Sequence, residues 1–125
     1  MTVRRLVLAS ALLVVVSLAG VRAADVSGKW SATFNTDAGE QQYTYEFAVK
    51  GTELTGTAKG NLVGESKITD GKVDGDKISF VENANFQGMP FRIEYAGQLT
   101  SADEITLTRK VADIATEQLV AKRVK

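Results

Sequence analysis

From Gly28 onward, apolar and polar residues alternate with a period of two, and no later segment carries the helical period of about 3.6. Trp30, Ala32 and Phe34 fall on one face with Ser31 and Thr33 on the other; Tyr43, Tyr45, Phe47 and Val49 alternate with Thr44, Glu46 and Ala48. Successive side chains of a strand point to opposite faces, so each run reads as a half-buried strand. The pattern continues through Leu54, Gly56 and Ala58; Ser66 and Ile68; Ile78 and Phe80; Phe91, Ile93, Tyr95, Gly97 and Leu99; Ile105 and Leu107; and Leu119 and Ala121, which makes eight strands. Short turn clusters separate them, among them Asp37-Ala38-Gly39, Lys50-Gly51-Thr52, Asp74-Gly75-Asp76, Asn85 to Met89 and Ser101-Ala102-Asp103. Turns this short force consecutive strands to pair antiparallel, so the expected fold is all-β with an up-and-down meander topology. The lone Pro90 falls at a strand start, where its missing N–H does least harm.

The stretch ITDGKVDGDKISF, Ile68 to Phe80, holds three aspartates and two glycines and invites comparison with a calcium loop. A loop of the EF-hand type needs oxygen ligands at its first, third and fifth positions, because the ion gathers its oxygens from a coiling chain. Starting at Asp70 puts Lys72 third, and starting at Asp74 puts Ile78 fifth, so both registers fail. A hairpin remains, with Val73 and Ile78 flanking an Asp-Gly turn and the charges on an exposed face. The inward parity shifts between Ile68 and Val73, which predicts a kink or bulge at Asp70-Gly71. Val49 to Leu54 and Val73 to Ile78 match in apolar spacing and glycine placement, 24 residues apart, the length of one hairpin.

Residues 1–23 have the pattern of a secretory signal peptide: Arg4 and Arg5, an apolar run from Leu6 to Leu18, and the small-residue exit Ala19-Gly20-Val21-Arg22-Ala23. The run of 13 residues is short of the roughly 20 that span a bilayer, so no membrane span is expected in the mature chain. Export to a periplasm or the cell exterior follows, by the general route or, given the Arg4-Arg5 pair, the twin-arginine one. Removing Arg4, Arg5 and Arg22 from 15 basic residues leaves 12 against 15 acidic ones, a formal charge of −3 that argues against nucleic acid as a partner. Residues 24–125 then form a single domain, enough to fold unaided around a modest core. The chain has neither cysteine nor histidine, so disulfides, histidine-based triads and the usual zinc sites are excluded, and no metal or cofactor is expected.

Gly28-Lys29-Trp30 at the start of the first strand and Arg123 near the end of the last resemble the calycin pattern of lipocalin, fatty-acid-binding and avidin-like barrels. The resemblance implies an eight-stranded antiparallel barrel in which the indole packs under a basic side chain of the final strand and closes one end, a cation–π contact across the seam. More closely, the stretch running from GKW through LTGTAKG and ITDGKVDGDKISF to AKR is similar to small secreted bacterial β-barrel proteins of no established activity. That likeness spans nearly all of residues 24–125 and brings no catalytic residues with it. The chain is shorter than a typical lipocalin and lacks that family's further loop motifs and terminal helix.

An eight-stranded barrel has an interior that side chains fill or that holds one small ligand. The inward set combines large residues (Phe34, Tyr43, Tyr45, Phe47, Phe80, Phe91 and Tyr95) with small ones (Ala32, Gly56, Ala58, Gly97 and Ala121), and it fits either outcome. Parity also turns Glu82, Arg109 and Glu117 inward, as an internal ion pair, as the polar end of a ligand site, or as groups reaching water where strands flare. The candidate ligand-binding set is therefore Tyr43, Tyr45, Phe80, Phe91, Tyr95, Glu82, Arg109 and Glu117, with Phe86 and Met89 on a loop tip as a lid or partner contact. The expected function is non-enzymatic binding of a small, largely apolar ligand. A filled module contacting a protein partner, of a kind the sequence does not name, is the alternative. A hydrolase using Glu82 and Glu117 as paired carboxylates comes third.

Overall fold

Alternating apolar side chains must find one common interior, and here they do so by curling the meander until its first and last strands meet. The structure, a computed structural model, describes residues 25–125; the leader expected at 1–23 lies outside the described residues. Eight strands follow in order: β1 (Gly28–Thr36), β2 (Gly39–Lys50), β3 (Glu53–Gly60), β4 (Gly64–Asp74), β5 (Lys77–Phe86), β6 (Met89–Ser101), β7 (Glu104–Val111) and β8 (Ala115–Arg123). Each pairs antiparallel with its neighbour, and β1 meets β8 through Trp30 opposite Arg123 and Ser31 opposite Lys122, giving a closed barrel. No helix among the described residues is long and apolar enough to cross a membrane.

The Ile68–Phe80 stretch is a hairpin between β4 and β5, with Asp74 opposite Lys77 and a two-residue loop of Gly75 and Asp76. Gly75 opens that loop at φ +60°, a conformation that favours glycine at this first loop position. The parity shift is real: register slips between Thr69 and Lys72, Asp70 takes φ +53°, and both Gly71 and Val73 face inward. A side chain at Gly71 would meet the Leu54 carbonyl oxygen at 2.1 Å, so only glycine lets β4 press against β3 beside the bulge.

The expected loop tip at Asn85 to Met89 needs correction. Strand β5 continues to Phe86, which pairs with Met89 at the start of β6, leaving only Gln87 and Gly88 as the turn. Phe86 is half-buried and Met89 exposed.

Through its middle the interior is filled. Phe34, Tyr43, Tyr45 and Phe47 stack in succession with ring centroids 5.4–5.8 Å apart, and Phe80 stacks on Tyr95 at 4.4 Å. Odd-numbered strands end at one rim of the barrel, which carries the turns at 37–38, 61–63, 87–88 and 112–114. The opposite rim carries both ends of the described chain.

At that second rim Trp30 is fully buried and its indole N–H donates to the Val26 carbonyl at 2.9 Å. The Arg123 guanidinium lies 4.4 Å from the centre of the Trp30 ring. Its nitrogens donate to the carbonyls of Ala102, Ser27 and Asp25 at 2.8–3.1 Å, fastening the approach to β1 and the β6–β7 turn over the indole.

Candidate functional site

Strand register brings distant polar residues together below the other rim. Tyr95 on β6 stands opposite Arg109 on β7, and Arg109 stands opposite Glu117 on β8, so the three form one rung across adjacent strands. Tyr43 and Tyr45 enter from the far wall on β2, and Glu82 from β5. Alternation along each strand turns all six side chains inward.

Glu82 has no solvent exposure and Arg109 has 2 %, so the reading in which these charges reach water at flaring strand ends does not hold for either. Charges so placed require partners. Arg109 Nε donates to the Tyr95 hydroxyl at 2.9 Å, Nη2 to the Tyr43 hydroxyl at 2.9 Å, and Nη1 to Glu117 Oε1. Because an arginine only donates, each of those two hydroxyls passes its own proton onward, Tyr43 to Glu82 Oε2 and Tyr95 to Glu82 Oε1, both at 2.8 Å. Tyr95 has then spent its proton, so Tyr45 is the donor in the 3.0 Å contact between their hydroxyls. The result is a cation and an anion bridged by two phenols, with Glu82 accepting on both oxygens as a carboxylate does.

Burial pushes the hydroxyls of Tyr45 and Tyr95 well above the ordinary tyrosine range, and it does the same to Tyr43, where the Glu82 charge adds to the effect. Burial alone would weaken the charge on Arg109, but Tyr95, Tyr43 and the bond to Glu117 outweigh it and hold the guanidinium protonated above its ordinary range. The guanidinium also lies over the rings of Tyr43 and Phe34, 5.1 and 5.4 Å from their centres.

Above this network the barrel is open. A cavity of 210 Å³ lies inside the rim, with Val63, Ala84, Phe86, Phe91, Ile93 and Val111 along its walls and Arg109, Glu117, Gln41 and Thr36 as its polar lining, joined by the exposed Asp37 at the mouth. Of the residues expected to bind a ligand, Phe91, Arg109 and Glu117 border this cavity. Tyr43, Tyr45, Tyr95 and Glu82 join the network that holds Arg109 rather than lining the space, and Phe80 packs against Tyr95, Tyr45 and Phe47. Phe86 lines the cavity and Met89 does not; Trp30 and Arg123 occupy the far end. Glu82 is sealed, with both oxygens engaged and no place on the cavity wall, so it is not set opposite Glu117 across an open space as a carboxylate pair acting on a glycoside would be.

Gln41 escaped the sequence reading. It is 7 % exposed and shares the odd parity of Tyr43, Tyr45 and Phe47, so carrying the β2 alternation one step further toward the turn would have found it. Its Oε1 is buried with no hydrogen-bond partner among the described residues. Comparison with protein-family models, with curated proteins and with solved structures finds no match for this chain.

Proposed function

We propose that this chain is an exported, non-enzymatic, calycin-like barrel that binds one small, largely apolar molecule in the cavity at its open rim. The observation that carries this reading is an apolar-walled space of 210 Å³ set above a buried arginine held by three side chains. Binding sites combine apolar walls with a few fixed polar groups, and an apolar cavity of about 150 Å³ is enough to take benzene. The volume therefore suits a single ring or a short chain. Export rests on the leader pattern of residues 1–23.

Native mass spectrometry of the protein purified from its producing cells, before and after denaturation and refolding, tests this reading. A reproducible added mass that is lost on refolding identifies the occupant. A bare mass in both samples favours the second reading, contact with a protein partner, for which the exposed Leu62, Met89 and Ile114 around the same rim speak.

A further inference from the structure

Taking the rim cavity as a binding site, we infer that its ligand carries a neutral head group that both donates and accepts hydrogen bonds, an alcohol, phenol or primary amide, and is neither a carboxylate nor an ammonium ion. Two groups on the cavity wall lead there. The first is Gln41, whose amide orientation is fixed by its neighbours. Thr36 Oγ1 donates its only proton to the Gly39 carbonyl at 2.9 Å, so toward Gln41 it can only accept, and it takes the Nε2 proton at 3.2 Å. That bond leaves Oε1 as the end without a partner, a buried acceptor in a residue that borders the cavity. A buried acceptor left unpaired costs free energy, and a ligand N–H or O–H removes that cost.

The second group is Arg109. Among the described residues three of its five N–H groups are engaged, by Tyr95, Tyr43 and Glu117, and the residue borders the same cavity as Gln41. It offers donors but no unbalanced charge, since Glu117 pairs with it directly and Glu82 lies behind the two phenols. A carboxylate cannot donate to Gln41 and adds a second anion beside Glu117. An ammonium ion cannot accept from Arg109 and places a cation against a guanidinium, and the other carboxylate of the lining, Asp37, is exposed at the mouth, already in water. A hydroxyl or a primary amide satisfies both walls at once.

The test is a calorimetric comparison of five probes of one ring size: toluene, benzyl alcohol, benzamide, benzoate and benzylammonium. Benzyl alcohol and benzamide are expected to bind about tenfold tighter than toluene, from two modest hydrogen bonds, and the two ions no tighter than toluene. Gln41→Met keeps the length of the side chain and removes the acceptor. It should erase most of the advantage of the alcohol and amide over toluene measured on the same variant. Tightest binding by benzoate or by benzylammonium, or equal binding of all five, overturns the head-group inference and leaves the cavity reading standing. If no probe binds, toluene included, the cavity reading falls and the inference with it. Should Gln41→Met fail to fold, the ranking of the five probes on the unmodified protein decides alone.

Discussion

Each end of the barrel holds an arginine against aromatic rings, and the two are fastened in opposite ways. Arg123 lies over Trp30 and donates its hydrogen bonds to main-chain carbonyls from the approach to β1 and the β6–β7 turn, with a longer ion-pair contact of 3.4 Å to the exposed Asp103. Arg109 lies over Tyr43 and Phe34 and spends its donors on side chains, two hydroxyls and a carboxylate. Main-chain acceptors are present whatever the side chains, so the Arg123 end is a seal that asks only for a cation of the right length. Side-chain acceptors must each be supplied by the sequence, and an arrangement of four such residues, Tyr43, Tyr45, Tyr95 and Glu117, around one guanidinium and one buried carboxylate holds a buried charge still beneath an open space. One end makes a fold close; the other makes a polar floor.

The largest effects are expected where this contrast is removed. Trp30→Ala should cost about 3–5 kcal/mol in a denaturant titration, because a fully buried indole leaves a large void, while the folded fraction keeps its affinity for a ligand at the other rim. Arg109→Met should cost a similar amount, about 3–5 kcal/mol, for a different reason: Glu82 stays buried without its counter-charge. Adding Glu82→Gln to that variant should recover part of the loss, and a double variant as unstable as the sum of the singles would mean that the phenols do not couple the pair.

An effect of roughly 2–3 kcal/mol is expected from alkali. The three tyrosines of the chain all belong to the network, and burial raises each above the ordinary value of 10.0. The folded form therefore keeps its phenolic protons while the unfolded chain loses them, so stability is complete below pH 10 and falls as pH rises beyond it. Half a unit above the ordinary tyrosine value the loss should reach roughly 2–3 kcal/mol for three groups. Unfolding followed by tyrosinate absorbance should show the hydroxyls ionising together with loss of structure; early ionisation in the folded state would place them in contact with solvent. The smallest effect belongs to Arg123→Met, about 1–2 kcal/mol, since its carbonyl partners near the surface can turn to water.

The strands were legible because burial on one face imposes alternation, and Tyr43, Tyr45 and Phe47 display it without ambiguity. Even the bulge at Asp70-Gly71 left its mark as a change of parity between Ile68 and Val73. Height along the barrel was not legible. Parity turned Glu82, Arg109 and Glu117 inward, but only cross-strand register sets Phe80, Tyr95, Arg109 and Glu117 on one rung and Glu82 opposite Ile93 on the next. The Asn85 to Met89 stretch read as a loop tip because asparagine and glycine favour turns. In the barrel Asn83 and Asn85 occupy the outward face of a strand that continues to Phe86. Gln41 was passed over because a polar side chain at an inward position interrupts the apolar pattern that alternation seeks, which is also why it stands out as a site residue.

The most direct test of a sealed end and a receiving end is an NMR titration of the protein with toluene, observing side-chain methyl groups and the indole N–H. Shifts are expected at Ala84, Ile93, Val111 and Ala115 around the cavity, with the Trp30 indole N–H unmoved. Shifts centred on Trp30, or none at the cavity methyls at saturating probe, would contradict it.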